Sequence, residues 1–295
     1  MKKAFIFPAF ISEIPHKELK FLDQNNVDLN TYIHKISTTL NINLPNYSYD
    51  SNEYGNNELY AQLLAYAFSC AFNEILTSKG IKPDFLAGYS MGIYASIYSA
   101  KSVSFEDGAR LIYHAFKLVE DLTQTKQYGM AAIIGLSIND VHGLIIKYTP
   151  DLEIINVNNE HSLVIAGKKS EIQVLLKMAI DEGAITTAEL TVNTPYHSKY
   201  LLKYAEPFSN FIDSISFNKP KIPIISTFDQ RIIATIPEAK AELVHNLTRK
   251  INWNNTMHIL IENNVIEMYE CGAGKDLKKI SRFICGDYQL KSIYT

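Results

Sequence analysis

Phe85-Leu86-Ala87-Gly88-Tyr89-Ser90-Met91-Gly92-Ile93-Tyr94-Ala95-Ser96-Ile97-Tyr98 is the stretch on which the reading of this chain turns. Its first three residues form an apolar run of strand character, its last six can continue as a helix, and Gly-x-Ser-x-Gly joins the two. Glycines on either side of the serine permit a turn tight enough to hold Ser90 in a strained conformation, with its hydroxyl aimed off the sheet edge. Such a nucleophile elbow points to acyl transfer or ester hydrolysis. The N–H groups at the start of the following helix would serve as oxyanion donors. A solvated serine in a glycine-rich turn would carry the same five residues, so the neighbouring segments must support the chemistry.

Composition bounds the class. A chain of 295 residues with 47% hydrophobic residues can bury one large α/β domain, or one domain carrying a smaller insert. A net charge of −3 gives no basic field for nucleic acid. Cys70, Cys271 and Cys285 are scattered without C-x-x-C spacing, so neither a disulfide framework nor a zinc site is indicated. A cytoplasmic setting is expected. At the start, Pro8 breaks the apolar run Ala4-Phe5-Ile6-Phe7 and charged residues follow, which predicts a buried first strand in place of a leader segment. No uninterrupted apolar run reaches the ~18 residues that a membrane span needs.

Helical and strand patterns alternate along the chain. Residues 59–76 and 105–122 have helical periodicity, the second with Glu106 and Asp107 in its first turn. After a polar break at 123–128 the texture changes: strand 130–136, helix 138–148, strands 152–158 and 162–166, helix 170–182 and strand 184–192. That βαββαβ order is ferredoxin-like. It predicts a small subdomain at 127–193 set between two parts of a larger α/β-hydrolase-like subdomain, 1–126 and 194–295.

A serine nucleophile needs a base. His197, in Asn193-Thr194-Pro195-Tyr196-His197-Ser198, lies where the chain returns from the insert to the large subdomain, and such a return loop can set an imidazole over the elbow. The other seven histidines are read as surface or packing residues.

Several segments then fall in the order and spacing of one family. Phe7-Pro8, the elbow, Val103-Ser104-Phe105-Glu106-Asp107, Gly129-Met130-Ala131-Ala132-Ile133-Ile134-Gly135-Leu136, Pro195-Tyr196-His197-Ser198 and Glu270-Cys271-Gly272-Ala273-Gly274-Lys275 resemble malonyl-CoA:acyl carrier protein transacylases across essentially the whole chain. The resemblance implies an α/β-hydrolase-like core with a ferredoxin-like insert. It also implies ping-pong transfer, in which His197 takes the Ser90 proton as the hydroxyl attacks a CoA or phosphopantetheine thioester, and a second thiol then discharges the acyl-enzyme. By the same resemblance the Phe10 and Met91 N–H groups form the oxyanion hole, and the main-chain carbonyl of Asn246 orients His197 in place of a triad acid. No bound cofactor and no metal are implied, and the partner would be an acyl carrier protein.

The departures bear on substrate. The family arginine that binds the malonyl carboxylate as a bidentate pair falls at Ala115, within Tyr113-His114-Ala115-Phe116. Arg110 lies more than a helical turn earlier, and Lys117 is about 200° round the helix. Phe10 and Tyr60 stand where the family has glutamines, Tyr89 replaces the histidine before the serine, and Ile93 replaces the glutamate after the elbow. Ala115, Tyr60, Tyr89 and Phe10 are thus the expected acyl pocket, and a neutral acyl group is the expected cargo. Burying a free carboxylate there without a cation would cost several kcal/mol. Lys199 and Lys203, after His197, are candidate contacts for an acidic carrier protein.

Three functions are compatible with these residues: acyl transfer in fatty-acid or polyketide synthesis, hydrolysis of acyl-carrier thioesters, and carrier docking without turnover. A plain α/β-hydrolase esterase is a weaker alternative. It lacks a His-Gly-Gly oxyanion loop and a second glycine after the elbow, and the insert fits it poorly.

Overall fold

The structure, a computed structural model, describes residues 1–11, 15–48 and 53–293. Among the described residues eleven strands, β1 (Lys2–Phe7), β2 (Phe85–Gly88), β3 (Tyr128–Ile134), β4 (Glu153–Asn159), β5 (Ser162–Lys168), β6 (Thr186–Glu189), β7 (Ile224–Ile225), β8 (Ile232–Ile233), β9 (Ile251–Asn252), β10 (Val265–Glu270) and β11 (Gln289–Ser292), form two sheets.

The larger sheet has the order β11-β10-β1-β2-β7-β8 and is parallel except at the β7–β8 edge. Its centre follows from composition. Ala4-Phe5-Ile6-Phe7 and Phe85-Leu86-Ala87 are continuous apolar runs buried on both faces, as a parallel sheet covered by helices requires. One face packs against the helix Gly92–Ser99 and shares its buried cluster with the helix Glu58–Ser78, which is buried along almost its full length, and with the helix Phe105–Gln124. On the other face Ala4, Ile6, Phe85 and Ala87 meet Trp253, Met257 and Leu260 of the helix Trp253–Glu262.

The second sheet has the order β6-β3-β5-β4-β9. Its first four strands are antiparallel and, with the helices Ile138–Tyr148 and Lys169–Asp181, follow the ferredoxin-like βαββαβ arrangement. Two details differ from the pattern reading. The last strand of the unit spans only Thr186–Glu189, at the exposed outer edge of the sheet, where it pairs with β3 alone among the described residues. The fifth strand, β9, lies far along the chain from the other four and pairs parallel with β4, so the small sheet takes one edge from outside the βαββαβ run.

Register brings the functional segments together. Phe7 lies opposite Gly88 at the carboxyl ends of β1 and β2, so the loops after both strands open at the same rim, the usual place for a site in such a sheet. No helix among the described residues is long and apolar enough to cross a membrane.

Candidate active site

The elbow is built by close approach of backbones. Tyr89 N–H donates to Phe7 O at 2.9 Å, and Gly92 N–H donates to Tyr89 O at 2.9 Å, which folds the chain straight into the helix Gly92–Ser99. A Cβ at Gly92 would lie 2.0 Å from Phe7 O, and one at Gly88 would lie 2.4 Å from Ile93 N. Both glycines are therefore steric requirements. Between them Ser90 has φ 53°, in the left-handed region that a serine occupies only when its surroundings impose it.

His197 also has a left-handed backbone, φ 62°, and its N–H donates to Leu247 O at 2.8 Å. Leu247 sits in the last turn of the helix Ile236–Thr248, where carbonyls lack intrahelical partners and are free to accept. The loop thus turns the imidazole inward: Ser90 Oγ and His197 Nε2 are 2.8 Å apart, and both residues are buried. Burial pushes the His197 imidazole down to about 3, and the Asn246 backbone facing the ring offsets only part of this. The ring is therefore neutral at physiological pH and able to accept a proton. Its Nδ1 has no partner in good hydrogen-bond geometry among the described residues.

Met91 opens the elbow helix. Phe10 follows Pro8 and Ala9, and Pro8 is backed by Gly272, where a Cβ would lie 2.4 Å from the proline ring. Among the described residues, neither the Met91 nor the Phe10 N–H donates a backbone hydrogen bond.

The pocket residues divide. Ala115 is buried in the large core, and Phe10 packs half-buried against the same core. Arg110 pairs on the surface with Asp107 at 2.7 Å and Lys117 with Glu120 at 2.8 Å, so neither cation takes the place of the arginine at Ala115. Tyr60 and Tyr89 are corrections. Tyr60 lies against the Tyr54 ring, its hydroxyl 3.4 Å from Asn43 O, and the helix turns about 200° from it to Gln62. Gln62 of that helix reaches the histidine loop instead: it is buried, and its Nε2 donates to Oη of Tyr196, the residue before His197, at 3.0 Å. The sequence signal for Gln62 was a polar residue inside a run that is apolar on all sides. Tyr89 turns away toward the small sheet, where its hydroxyl donates to Asn158 Oδ1 at 2.7 Å and accepts from Asn156 Nδ2 at 2.6 Å. Its ring meets Trp253 edge-on, and burial pushes its hydroxyl up to about 12. Tyr89 therefore seals the two subdomains together.

Behind the histidine loop lies a polar clamp that residue patterns did not show. Asn193 N–H donates to Glu58 Oε2 at 3.3 Å, and the Thr123 and Thr194 hydroxyls are 2.6 Å apart. Both chain crossings between the subdomains are thereby tied to the helices beneath them. Of the candidate carrier contacts, Lys199 engages Glu153 through its backbone N–H at 2.9 Å and its Nζ at 3.6 Å, while Lys203 lies over the Tyr204 ring.

This α/β architecture, with a serine just after the end of β2 and a histidine on a loop beside it, is that of a known class. Residues 59–259 match the acyl transferase domain family. A polyketide biosynthesis malonyl CoA-acyl carrier protein transacylase of Bacillus subtilis is 31% identical over 204 residues, covering 68% of this chain and 69% of the relative. A malonyl CoA-acyl carrier protein transacylase of Staphylococcus aureus is 29% identical over 220 residues, 74% of this chain and 71% of the relative. Among solved structures, a malonyl-transacylase in complex with its type II polyketide acyl-carrier protein superposes with a TM-score of 0.90 at 21% identity, over 100% of this chain and 96% of that one. FabD of Acinetobacter baumannii gives 0.89 at 24% identity, over 100% and 94%; at these identities the likeness is one of fold. The chain belongs to the acyl transferase domain family, and it is an acyltransferase.

Proposed function

We propose that this enzyme carries a neutral acyl group, not malonyl, through a Ser90 acyl-enzyme to or between acyl carrier proteins in fatty-acid or polyketide synthesis. The observation that carries this reading is Ala115. A small buried residue stands where a carboxylate-binding arginine is expected, and the nearest cations of its own helix are paired on the surface. An apolar wall favours a neutral chain by about 0.8 kcal/mol per buried methylene, whereas a buried carboxylate would lack its partner.

The 2.8 Å contact between Ser90 Oγ and His197 Nε2 supports the following course of reaction. Neutral His197 accepts the Ser90 proton through Nε2 as Oγ attacks the thioester carbonyl. The Met91 and Phe10 N–H groups hold the oxyanion, and the imidazolium returns its proton to the departing thiolate of CoA or pantetheine. A carrier-bound thiol then attacks the acyl-enzyme through the same steps in reverse order. Asn246 orients the imidazole through its backbone, and Lys199 and Lys203 meet the acidic carrier. No bound cofactor or metal takes part.

The test is the lifetime of the Ser90 acyl-enzyme, followed by intact-mass spectrometry after loading with acetyl, propionyl and longer acyl thioesters. A species that persists for minutes and is discharged by holo-carrier protein establishes transfer. Rapid decay to free acid without carrier would make the enzyme an acyl-carrier hydrolase. Absence of any acylation would leave carrier docking without turnover.

A further inference from the structure

Three polar atoms behind the catalytic pair are enclosed and unpaired among the described residues: Tyr94 Oη, Asn246 Oδ1 and His197 Nδ1. The residues that bear them are 1%, 2% and 3% exposed. Tyr94 belongs to the elbow helix, one turn after Ser90, and that helix packs on the helix that carries Asn246. The Tyr94 hydroxyl faces the Asn246 side chain, and the Asn246 backbone faces the His197 ring.

We propose that Tyr94 and the Asn246 side chain form a positioning pair for His197. It rests on the reading of Ser90 and His197 as nucleophile and base. A buried hydroxyl and a buried amide oxygen that face each other are costly to leave apart, and a small torsion of either side chain joins them. The Tyr94 O–H then donates to Asn246 Oδ1. This fixes the last turn of the helix Ile236–Thr248, whose Leu247 carbonyl already holds the His197 N–H at 2.8 Å. With that turn fixed, the Asn246 carbonyl accepts the proton on Nδ1, and Nε2 is left bare toward Ser90 Oγ, 2.8 Å away. One rigid helix thereby aims the nucleophile at its start and steadies the base one turn later. Tyr94 touches no reacting atom and acts only through Asn246.

The test uses Tyr94→Phe, which keeps the ring and removes one hydroxyl. In protein labelled with nitrogen-15 histidine, wild type is expected to show His197 as the Nδ1-protonated tautomer, and Tyr94→Phe a mixture of the two tautomers. Modification of Ser90 by a fluorophosphonate, a probe indifferent to acyl preference, should slow by about fivefold to tenfold, the rate equivalent of one ordinary hydrogen bond. Asn246→Ala should show the same loss, and the double variant no further loss. A wild-type tautomer and rate in Tyr94→Phe, or additive losses in the double variant, would overturn the proposal. Failure of wild type to react with the probe would instead count against Ser90 as nucleophile, and the tautomer comparison would still decide the pairing. Should Tyr94→Phe not fold, the wild-type spectrum decides: a slowly exchanging Tyr94 hydroxyl proton supports the pair, and its absence opposes it.

Discussion

Ser90 and His197 meet at 2.8 Å although 107 residues separate them, and both hold a left-handed backbone, φ 53° and 62°. Few residues other than glycine adopt that conformation, so the surrounding contacts must hold it. For Ser90 they are the two flanking glycines and the Phe7 carbonyl; for His197 they are the Leu247 carbonyl and the clamp on residues 193–196.

Removing either member of the pair should stop chemistry and spare the fold. Ser90→Ala is expected to yield no acyl-enzyme by intact mass. His197→Ala should slow acylation by a factor of about 10² to 10⁴. Wild-type turnover in Ser90→Ala would place the nucleophile elsewhere.

Gly92→Ala tests the elbow itself. The added methyl would lie 2.0 Å from Phe7 O, a backbone atom that cannot rotate aside. The strand end or the helix start must shift, and a loss of more than ~2 kcal/mol in urea unfolding is expected, together with loss of acylation. A neutral effect on both would show that the turn is looser than its contacts indicate.

Malonyl thioesters should load Ser90 at least about tenfold more slowly than propionyl thioesters, the least that an unpaired buried carboxylate would cost. Arg110→Ala and Lys117→Ala should leave that ratio unchanged, since both cations are engaged with Asp107 and Glu120. Efficient malonyl loading that survives both substitutions would refute the neutral-acyl reading.

The pH dependence follows from the buried imidazole. With its folded value lowered to about 3, His197 remains a neutral base, and single-turnover acylation should be flat from about pH 5 to about pH 8, without an inflection near 6.5. The same shift affects stability. The unfolded chain binds this proton more readily, so the His197 contribution is complete above the unfolded value of 6.5 and is lost as pH falls toward 3. An acylation rate that halves near pH 6.5 would show that the ring is hydrated in solution.

Much of this was legible along the chain. The apolar runs at 4–7 and 85–87, the glycine spacing around Ser90 and the alternation at 128–189 encode strands, an elbow and a βαββαβ unit, because each depends on residues close in sequence. The absence of a cation at position 115 is likewise a statement about one residue.

Contacts between distant segments required the folded chain. Tyr60 and Gln62 are two residues apart on one helix, and only packing decides that Gln62 meets Tyr196 while Tyr60 meets Tyr54. Tyr89 adjoins the nucleophile in sequence but is drawn to Asn156 and Asn158, because an enclosed hydroxyl goes where partners exist. β9 completes the small sheet from outside the insert. Local sequence determined the strands, the elbow and which serine stands at its apex. Burial, which neutralises His197 and selects the partners of Gln62 and Tyr89, was decided by the tertiary structure, since it depends on atoms that converge from the whole chain.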